Sequence, residues 1–223
     1  MSNKLYDCIV VGGGHAGVEA ALAAARMNCK VLLVTLHLDT VGLMSCNPAI
    51  GGVGKGQLVK EIDALGGFMA QAADATAIQY RTLNRSKGPA VHSSRCQTDR
   101  QAYRHYVKWV LESENNISLL QAEVVWLLVN DGRVEGIKTH LAEEILAQTV
   151  IITPGTFLNG LIHIGLNHFP GGRIGEPAAV ALSKNFQELG FNILRFKTGT
   201  CSRLDGRTIN FRKLQIQEPD KEA

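Results

Sequence analysis

The chain has 223 residues, of which 45% are hydrophobic and 19% charged, a composition typical of a globular protein with a sizeable core. A net charge of +3 is too small to require a polyanionic partner, although it leaves room for a local basic patch. The five cysteines form no C-x-x-C pair, which disfavours a zinc or iron–sulfur site and favours a reducing compartment. The sequence shows no signal peptide and no apolar stretch long enough to span a bilayer, so we predict a cytoplasmic protein without a membrane partner.

The first forty residues predict a strand, a glycine turn, a helix and a second strand. The apolar run "YDCIVV", Tyr6 to Val11, fits a buried parallel strand and ends directly on "GGGHAG". The alanine-rich segment "VEAALAAARMN" suits a helix packed closely on a sheet, and "KVLLVTL" suits the second strand.

Gly12, Gly14 and Gly17 place the pattern G-x-G-x-x-G between that strand and that helix. In this context the glycines allow a tight turn and close backbone approach to a pyrophosphate, which binds at the helix N-terminus. We therefore predict dinucleotide binding. The alternative is a glycine turn that serves packing alone.

One expected part of the dinucleotide site is missing. An acidic residue is expected at the end of the second strand, roughly twenty residues past the glycines, where it binds the adenosine ribose. Thr35 occupies the predicted position, and Asp39 follows several residues later. Thr35 offers a hydroxyl or a backbone contact in place of a bidentate carboxylate.

A second glycine-rich stretch, "SCNPAIGGVGKGQ", invites comparison with a triphosphate-binding loop. That loop reads G-x-x-x-x-G-K-[ST], because its final hydroxyl holds magnesium. Here Gly56 follows Lys55, and Ala49 stands where the first glycine is required. Both anchor positions fail, so a triphosphate loop is disfavoured.

The remaining elements predict an α/β fold. A helix is expected from Leu58 to Gly66-Gly67, and "EVVWLLVNDGRVEGIKTH" reads as a hairpin around an Asn-Asp-Gly turn. "AQTVIITPGTFLNG" then gives a buried strand that ends on a Pro-Gly turn. Together these elements predict a Rossmann-like FAD-binding domain of the two-dinucleotide flavoprotein type, with a parallel sheet and a β-hairpin excursion.

Basic residues are concentrated between Arg81 and Lys108, where Asp99 is the only acid and tyrosines are interleaved. Such a stretch can hold phosphates and stack exposed bases, and Arg95, Arg100 and Arg104 are the candidate nucleic-acid contacts. The alternative is the solvated face of a helix over "DRQAYRHYVKWVLES", with Tyr106 and Val110 turned to the core.

Nearly the whole chain resembles the GidA/MnmG family. The resemblance rests on "GGGHAGVEAALAAARM", "DTVGLMSCNPAIGGVGKGQLVKEIDALGG", "LNRSKGPAVHSSRCQTDRQAYR", "GTFLNGLIHIG", "GGRIGEP" and "KTGTCSRLD". Members of the family are FAD-dependent enzymes that help install carboxymethylaminomethyl groups at C5 of the wobble uridine of certain tRNAs. The resemblance implies that the "SCNPAIGGVGKGQ" loop is part of the flavin pocket, where glycines let the backbone approach a flat ring.

The resemblance also implies the residues that hold FAD. The pyrophosphate site comprises Gly12, Gly13, Gly14, His15, Ala16 and Gly17, and Thr35 stands at the ribose position. Val124 is expected to contact the adenine side through its backbone, and Gly155 to let the chain pass close to the cofactor. At Ala179 the family is expected to carry a hydroxyl residue, so only a backbone contact is expected here.

Cys46 and Lys55 are the candidate catalytic residues. A single cysteine is commonly a small buried apolar residue, but its place in a flavin loop favours an active-site role for Cys46. The resemblance puts a better candidate for the catalytic cysteine downstream of this chain. Lys55 is expected to stabilise negative charge on reduced flavin. No metal site is predicted.

Family members are much longer than this chain. We expect residues 1–200 to be the N-terminal part of the FAD-binding domain and residues 201–223 to be the truncated start of a nicotinamide-binding insertion or a tail. The resemblance implies NADH as the reductant, tRNA and the partner GTPase MnmE as partners, and a homodimer. Two alternatives remain: a non-catalytic FAD-binding fragment or half of a split enzyme, and a folate- and FAD-dependent tRNA uridine methyltransferase.

Overall fold

The computed structural model describes residues 5–220. They form two compact units, each built from two stretches of the chain. The first unit contains the residues up to Leu43 together with Arg104–Arg195, and the second contains Met44–Tyr103 together with the residues from Phe196 onward. The division of the chain at residue 200 that the sequence suggested stays a prediction.

The strands and helices are unevenly distributed, since four of the five described helices end before residue 114 and six consecutive strands follow them. In chain order they are β1 (Leu5–Val11), α1 (His15–Arg26), β2 (Val31–Thr35), β3 (Ala49–Gly51), α2 (Lys55–Ala64), α3 (Met69–Ala75), β4 (Ala77–Leu83), β5 (Ser93–Thr98), α4 (Arg100–Ser113), β6 (Ile117–Gln121), β7 (Val124–Asn130), β8 (Arg133–Thr139), β9 (Glu144–Ile152), β10 (Leu161–Ile164), β11 (Asn167–Pro170) and α5 (Ala181–Glu188).

The first unit is organised by a six-stranded sheet in the order β6-β2-β1-β9-β8-β7. The four strands β6, β2, β1 and β9 run parallel, while β8 and β7 are antiparallel additions at one side. In β1 both Ile9 and Val10 have no exposed surface, because a central parallel strand is covered on both faces. The predicted α/β fold with a parallel sheet and a hairpin excursion is confirmed.

The hairpin excursion β7–β8 turns at Asp131-Gly132, as the sequence predicted. The backbone amide of Leu127 in β7 donates a hydrogen bond of 2.9 Å to the side-chain oxygen of Asn185, which is fully buried on α5. Asn185 therefore supplies an acceptor to a strand amide, and this polar contact lies inside the apolar core.

The second unit contains a three-stranded antiparallel sheet in the order β3-β5-β4, with α2 and α3 beside it. The end of the described chain lies along β4. The Asp220 amide donates to the Tyr80 carbonyl over 3.0 Å, and the Asp220 carboxylate accepts from the Thr82 amide over 2.7 Å. The same carboxylate pairs with Arg85 at 2.8 Å.

The buried face of helix α4 differs from the one expected from the sequence. The stripe that is buried on this helix consists of Tyr103, Val107 and Leu111, at most 2% exposed, in place of the expected Tyr106 and Val110. Tyr106 and Trp109 stack on each other with ring centroids 5.9 Å apart, and Trp109 is 60% exposed. The helix is amphipathic as predicted, but its apolar face is rotated from the expected one.

Within residues 5–220, no helix combines the length and the apolar character that crossing a membrane requires.

Candidate functional site

The glycine turn of the first unit is packed tightly at two of its positions. Gly12 has φ +109°, and a Cβ there would lie 2.2 Å from the carbonyl oxygen of Thr153. A Cβ on Gly17 would lie 1.8 Å from the carbonyl oxygen of Gly12. These two glycines let the start of α1 approach the ends of β1 and β9, which is the packing role that the motif predicts.

Gly14 differs from both. It is the N-cap of α1 with φ −75°, a backbone conformation open to any residue, and nothing lies within 4 Å of the position of an added Cβ. No described side chain caps this end of α1. The first amides of a helix carry partial positive charge and need acceptors, so this N-terminus has the electrostatics that favour an anion.

His15 and Thr35 flank the turn. His15 is half-buried, and burial lowers the pKa of its imidazole, with Glu19 acting in the opposite direction. Thr35 is the last residue of β2, and its hydroxyl would lie 2.9 Å from a Cβ on Gly13. The Thr35 carbonyl accepts a hydrogen bond of 3.0 Å from the Ala122 amide. The Thr35 hydroxyl, by contrast, lies beside Gly13 and therefore faces the glycine turn.

Thr153, which carries no motif in the sequence, fixes the turn from the end of β9. Its hydroxyl donates to the carbonyl of Val11 at 2.9 Å and lies 3.1 Å from that of Gly12. A threonine that follows a strand gives no local signal of this contact, because the contact depends on β9 pairing with β1.

The other predicted cofactor residues of the first unit occupy different environments. Val124 is buried in β7 opposite Thr139. Gly155 has φ +55° with open space at its Cβ position, and it begins a short 3-10 turn after β9. Ala179 is buried, its amide donates to Phe157 and its carbonyl accepts from Asn159. The amide of Ala179 is thus already committed within the protein.

In the second glycine-rich loop, "SCNPAIGGVGKGQ", the packing and backbone conformation of the second unit account for the presence of glycine. A Cβ on Gly51 would lie 2.2 Å from the carbonyl oxygen of Ser94, and one on Gly56 would lie 2.5 Å from the Ser93 hydroxyl. Gly52 and Gly54 have φ of +106° and +73°, which side chains rarely adopt. The Ser93 hydroxyl also donates to the Gly52 carbonyl, so this loop is fastened to β5.

Cys46 and Lys55 both belong to the second unit. Lys55 is exposed at the first residue of α2, so the helix begins three residues before the expected Leu58. Cys46 is half-buried, and its carbonyl accepts from Arg100 at 2.5 Å and from Arg203 at 2.7 Å. The backbone amide of Cys201, followed by contributions from Asn47 and Arg203, lowers the pKa of the Cys46 thiol against the opposing effect of burial.

The three candidate nucleic-acid residues lie in different settings. Arg95 is half-buried on β5, where its backbone pairs with Gly51 and Arg81. Arg100 donates to the Cys46 carbonyl within the second unit. Arg104 belongs to the first unit, donates to the Asp39 carbonyl and contacts His105. Arg100 and Arg104 therefore already have protein acceptors.

Lys108 and Asp39 form a further contact on the first unit, with 2.6 Å between the ammonium and a carboxylate oxygen. The Lys108 hydrogen bond is the main cause that lowers the pKa of Asp39, and the same bond raises the pKa of Lys108. The carboxylate of Asp39, the acid that follows β2, therefore pairs with a lysine of α4. Within the described residues no group of three or more His, Cys, Asp or Glu side chains is arranged to hold a metal ion.

Comparison with known proteins gives consistent matches. The family model described as "Glucose inhibited division protein A" matches residues 7–223. The tRNA uridine 5-carboxymethylaminomethyl modification enzyme MnmG of Geotalea uraniireducens (strain Rf4) is 58% identical over 98% of this chain. The chain spans 35% of the length of that relative.

The structural match agrees with the sequence match. The structure of Aquifex aeolicus GidA in its form II crystal superposes with a TM-score of 0.94 and 50% identity, over 99% of this chain and 36% of that one. The GidA-related protein from Thermus thermophilus superposes with a TM-score of 0.63 at 23% identity, over 85% of this chain and 70% of that one, and shows a shared fold alone.

Proposed function

The chain belongs to the glucose inhibited division protein A family, and from that premise we propose that it is the N-terminal, FAD-binding part of a tRNA-modifying flavoenzyme. The enzyme contributes to the addition of a carboxymethylaminomethyl group at C5 of the wobble uridine. Support comes from the MnmG relative, whose name states the uridine modification, and from the glycine turn of the first unit.

The single observation that supports FAD binding is the ordinary backbone conformation of Gly14 together with the open space beside it. Its φ of −75° does not require glycine, and no neighbour within 4 Å excludes a side chain. Ser, Asn or Asp at an N-cap would stabilise the helix better than glycine does. A phosphate group bound against the first turn of α1 supplies the missing reason for a bare backbone.

We assign the residues of the first unit accordingly. Amides in the segment Gly12–Gly17 hold the pyrophosphate, and the positive end of the α1 dipole favours it. The Thr35 hydroxyl faces the ribose. Val124 and Gly155 offer backbone contacts, whereas at Ala179 the carbonyl oxygen retains a second lone pair for such a contact.

In the second unit, Lys55 is assigned to negative charge on the flavin and Cys46 to the reacting groups. Lys55 is exposed at the start of α2, and the pKa of Cys46 is lowered. Bound FAD supplies hydride and electron transfer, which no side chain of this chain provides. NADH is the proposed reductant. Residues 1–200 are assigned to the FAD-binding domain and residues 201–223 to the start of a nicotinamide-binding insertion or a tail.

The partners are proposals of the same kind. We assign tRNA as the substrate, the GTPase MnmE as the partner protein, a homodimer as the assembly and the cytoplasm as the location. Arg95 remains the best candidate for a phosphate contact, because Arg100 and Arg104 donate to protein carbonyls. Arg100 and Arg104 reach phosphates only through donors that those bonds leave unused.

Deletion of the gene that encodes this chain tests the assignment. Nucleosides of purified tRNA are then measured by mass spectrometry. We expect the carboxymethylaminomethyl group to disappear from the wobble uridine, while methylated uridine in the T-loop is unchanged. Loss of the T-loop methyl group with an intact wobble uridine would assign the chain to the methyltransferase alternative and contradict the proposal.

A further inference from the structure

Two cysteines that are far apart in the sequence, Cys46 and Cys201, lie on segments that contact each other in the second unit. The Cys201 thiol donates a hydrogen bond of 3.0 Å to the side-chain oxygen of Asn47, the residue next to Cys46. Arg203, two residues after Cys201, donates a hydrogen bond of 2.7 Å to the carbonyl of Cys46 itself. Both residues are free thiols, with Cys46 half-buried and Cys201 exposed.

The surroundings of this pair favour the thiolate of Cys46. The guanidinium groups of Arg100 and Arg203 converge on the Cys46 carbonyl, and Arg203 adds positive charge near the sulfur. Burial instead raises the pKa of the thiols of Cys8 and Cys96. Because the thiolate is the nucleophile in thiol chemistry, Cys46 is the cysteine best prepared to react.

We propose that Cys46 and Cys201 form a site of reversible oxidation, in which a low-molecular-weight disulfide converts the two thiols into an intramolecular disulfide. The site rests on the two thiols and is independent of the proposed tRNA modification. The segment that carries Cys201 is already fastened to the Cys46 loop through Arg203 and Asn47, so oxidation joins parts of the chain that are in contact.

The exchange proceeds in two balanced steps. The Cys46 thiolate attacks one sulfur of the small disulfide, which forms a mixed disulfide and releases one small thiolate. The Cys201 thiolate then attacks the Cys46 sulfur, which forms the protein disulfide and releases the second small thiolate. The two protons lost by the cysteines are taken up by the released thiolates, so two cysteine thiols are oxidised while one small disulfide is reduced to two thiols.

This pairing has a consequence for Cys46. In the oxidised form its sulfur is bonded to Cys201 and is no longer a nucleophile. The oxidation state of the site therefore controls whether the Cys46 thiol is available to any chemistry in which the loop takes part. Reducing agents restore it.

The test is a peptide map of the chain after incubation with oxidised glutathione. Acid stops the exchange, and the denatured protein is then alkylated and digested. We expect a linked peptide pair containing Cys46 and Cys201, lighter by two hydrogens than the sum of the free peptides, with two of the five thiols protected from alkylation. Dithiothreitol should return both thiols to the alkylated pool.

Two variants sharpen the result. In Cys201→Ser the second step is blocked, so Cys46 should accumulate as the glutathione adduct. The matched control Cys29→Ser removes another half-buried cysteine and should leave the linked pair unchanged. Circular dichroism checks that both variants are folded, and the map of the unaltered chain tests the site without any variant.

Three outcomes overturn the proposal. They are separate glutathione adducts on Cys46 and Cys201 without a link, a preferred link from Cys46 to another cysteine or to a second chain, and no modification of Cys46 at all.

Discussion

The two glycine-rich loops of this protein have similar compositions and opposite environments. In the turn that starts with Gly12, Gly14 faces open space at a helix N-terminus and has an ordinary backbone conformation. In the loop that starts with Gly51, two glycines pack against β5 and two others have positive φ. The second loop accounts for all its glycines internally, whereas the first contains one glycine that the protein itself does not require.

The comparison shows how a ligand site is distinguished from a packing site. A glycine is required by the fold where a Cβ would meet backbone or where φ is positive. Gly12, Gly17 and Gly51 meet the first condition, and Gly52 and Gly54 meet the second. Gly14 meets neither condition, and its place at the start of α1 is the basis of our proposal that it lies against a ligand.

Gly17→Ala should have the largest effect on the first loop. The new methyl group would lie 1.8 Å from the Gly12 carbonyl oxygen, which cannot move without displacing the turn. We expect a loss of about 3 kcal/mol or more in the free energy of unfolding. Urea unfolding measures it, and a loss below about 1 kcal/mol would show that the close approach of α1 is not required.

Gly51→Ala should have the next largest effect on stability, because it should destabilise the second unit. Its methyl group would lie 2.2 Å from the Ser94 carbonyl oxygen, and φ of +90° adds backbone strain. We expect a loss of about 2 to 3 kcal/mol, measured by the same urea titration. Unchanged stability would contradict the packing explanation of the second loop and reopen a ligand role for its glycines.

Ser93→Ala tests how the second loop is fastened. The Ser93 hydroxyl is buried, donates to the Gly52 carbonyl and lies 3.2 Å from the side-chain oxygen of Gln57. Removing the donor should cost about 1 kcal/mol, because the Gly52 carbonyl loses its side-chain donor and keeps the amides of Lys55 and Gly56. Ser94→Ala is the matched control on the exposed side of β5 and should change stability by less than about 0.5 kcal/mol. Equal losses in the two variants would refute the assignment.

The smallest effect should be a pH dependence at His15. Burial lowers the pKa of its imidazole, so the unfolded chain binds a proton at a higher pH than the folded chain does. The neutral imidazole therefore contributes stability above the unfolded pKa of about 6.5, and this stability is lost as the pH falls below it. In His15→Gln the fall in unfolding free energy between about pH 8 and about pH 5.5 should be smaller than in the unaltered chain. An identical fall would exclude His15 as its source.

Much of the fold could be predicted from the sequence because its signals are local. Strand β1 is a continuous apolar run, the first glycine turn has the spacing of its motif, and Asp131-Gly132 marks the hairpin. The rotated face of α4 was not predicted, since Tyr103 and Tyr106 both fit a helical apolar stripe and burial is decided by the packing partners.

The candidate site was less accessible to sequence reasoning. The need for glycine at position 51 depends on β5, whose pairing with β3 is a tertiary fact. Asn185 and Thr153 act on strands that are distant in the sequence. Cys201 gives no local sign of its contact with Asn47, because the segment that carries it returns to the Cys46 loop only after many intervening residues.

The most direct test of the central claim is a titration of the purified, flavin-free chain with FAD, followed by flavin fluorescence, for three proteins. They are the unaltered chain, Gly14→Asp, and Asn167→Asp, which adds the same charge at an exposed site of the first unit. Aspartate is a good N-cap, so Gly14→Asp should be at least as stable as the unaltered chain. Its carboxylate occupies the proposed phosphate position, so FAD affinity should fall by about tenfold or more, whereas Asn167→Asp binds normally. Equal FAD affinity in all three proteins, or a folded chain that binds no FAD, would contradict the assignment of the Gly12–Gly17 turn to the cofactor.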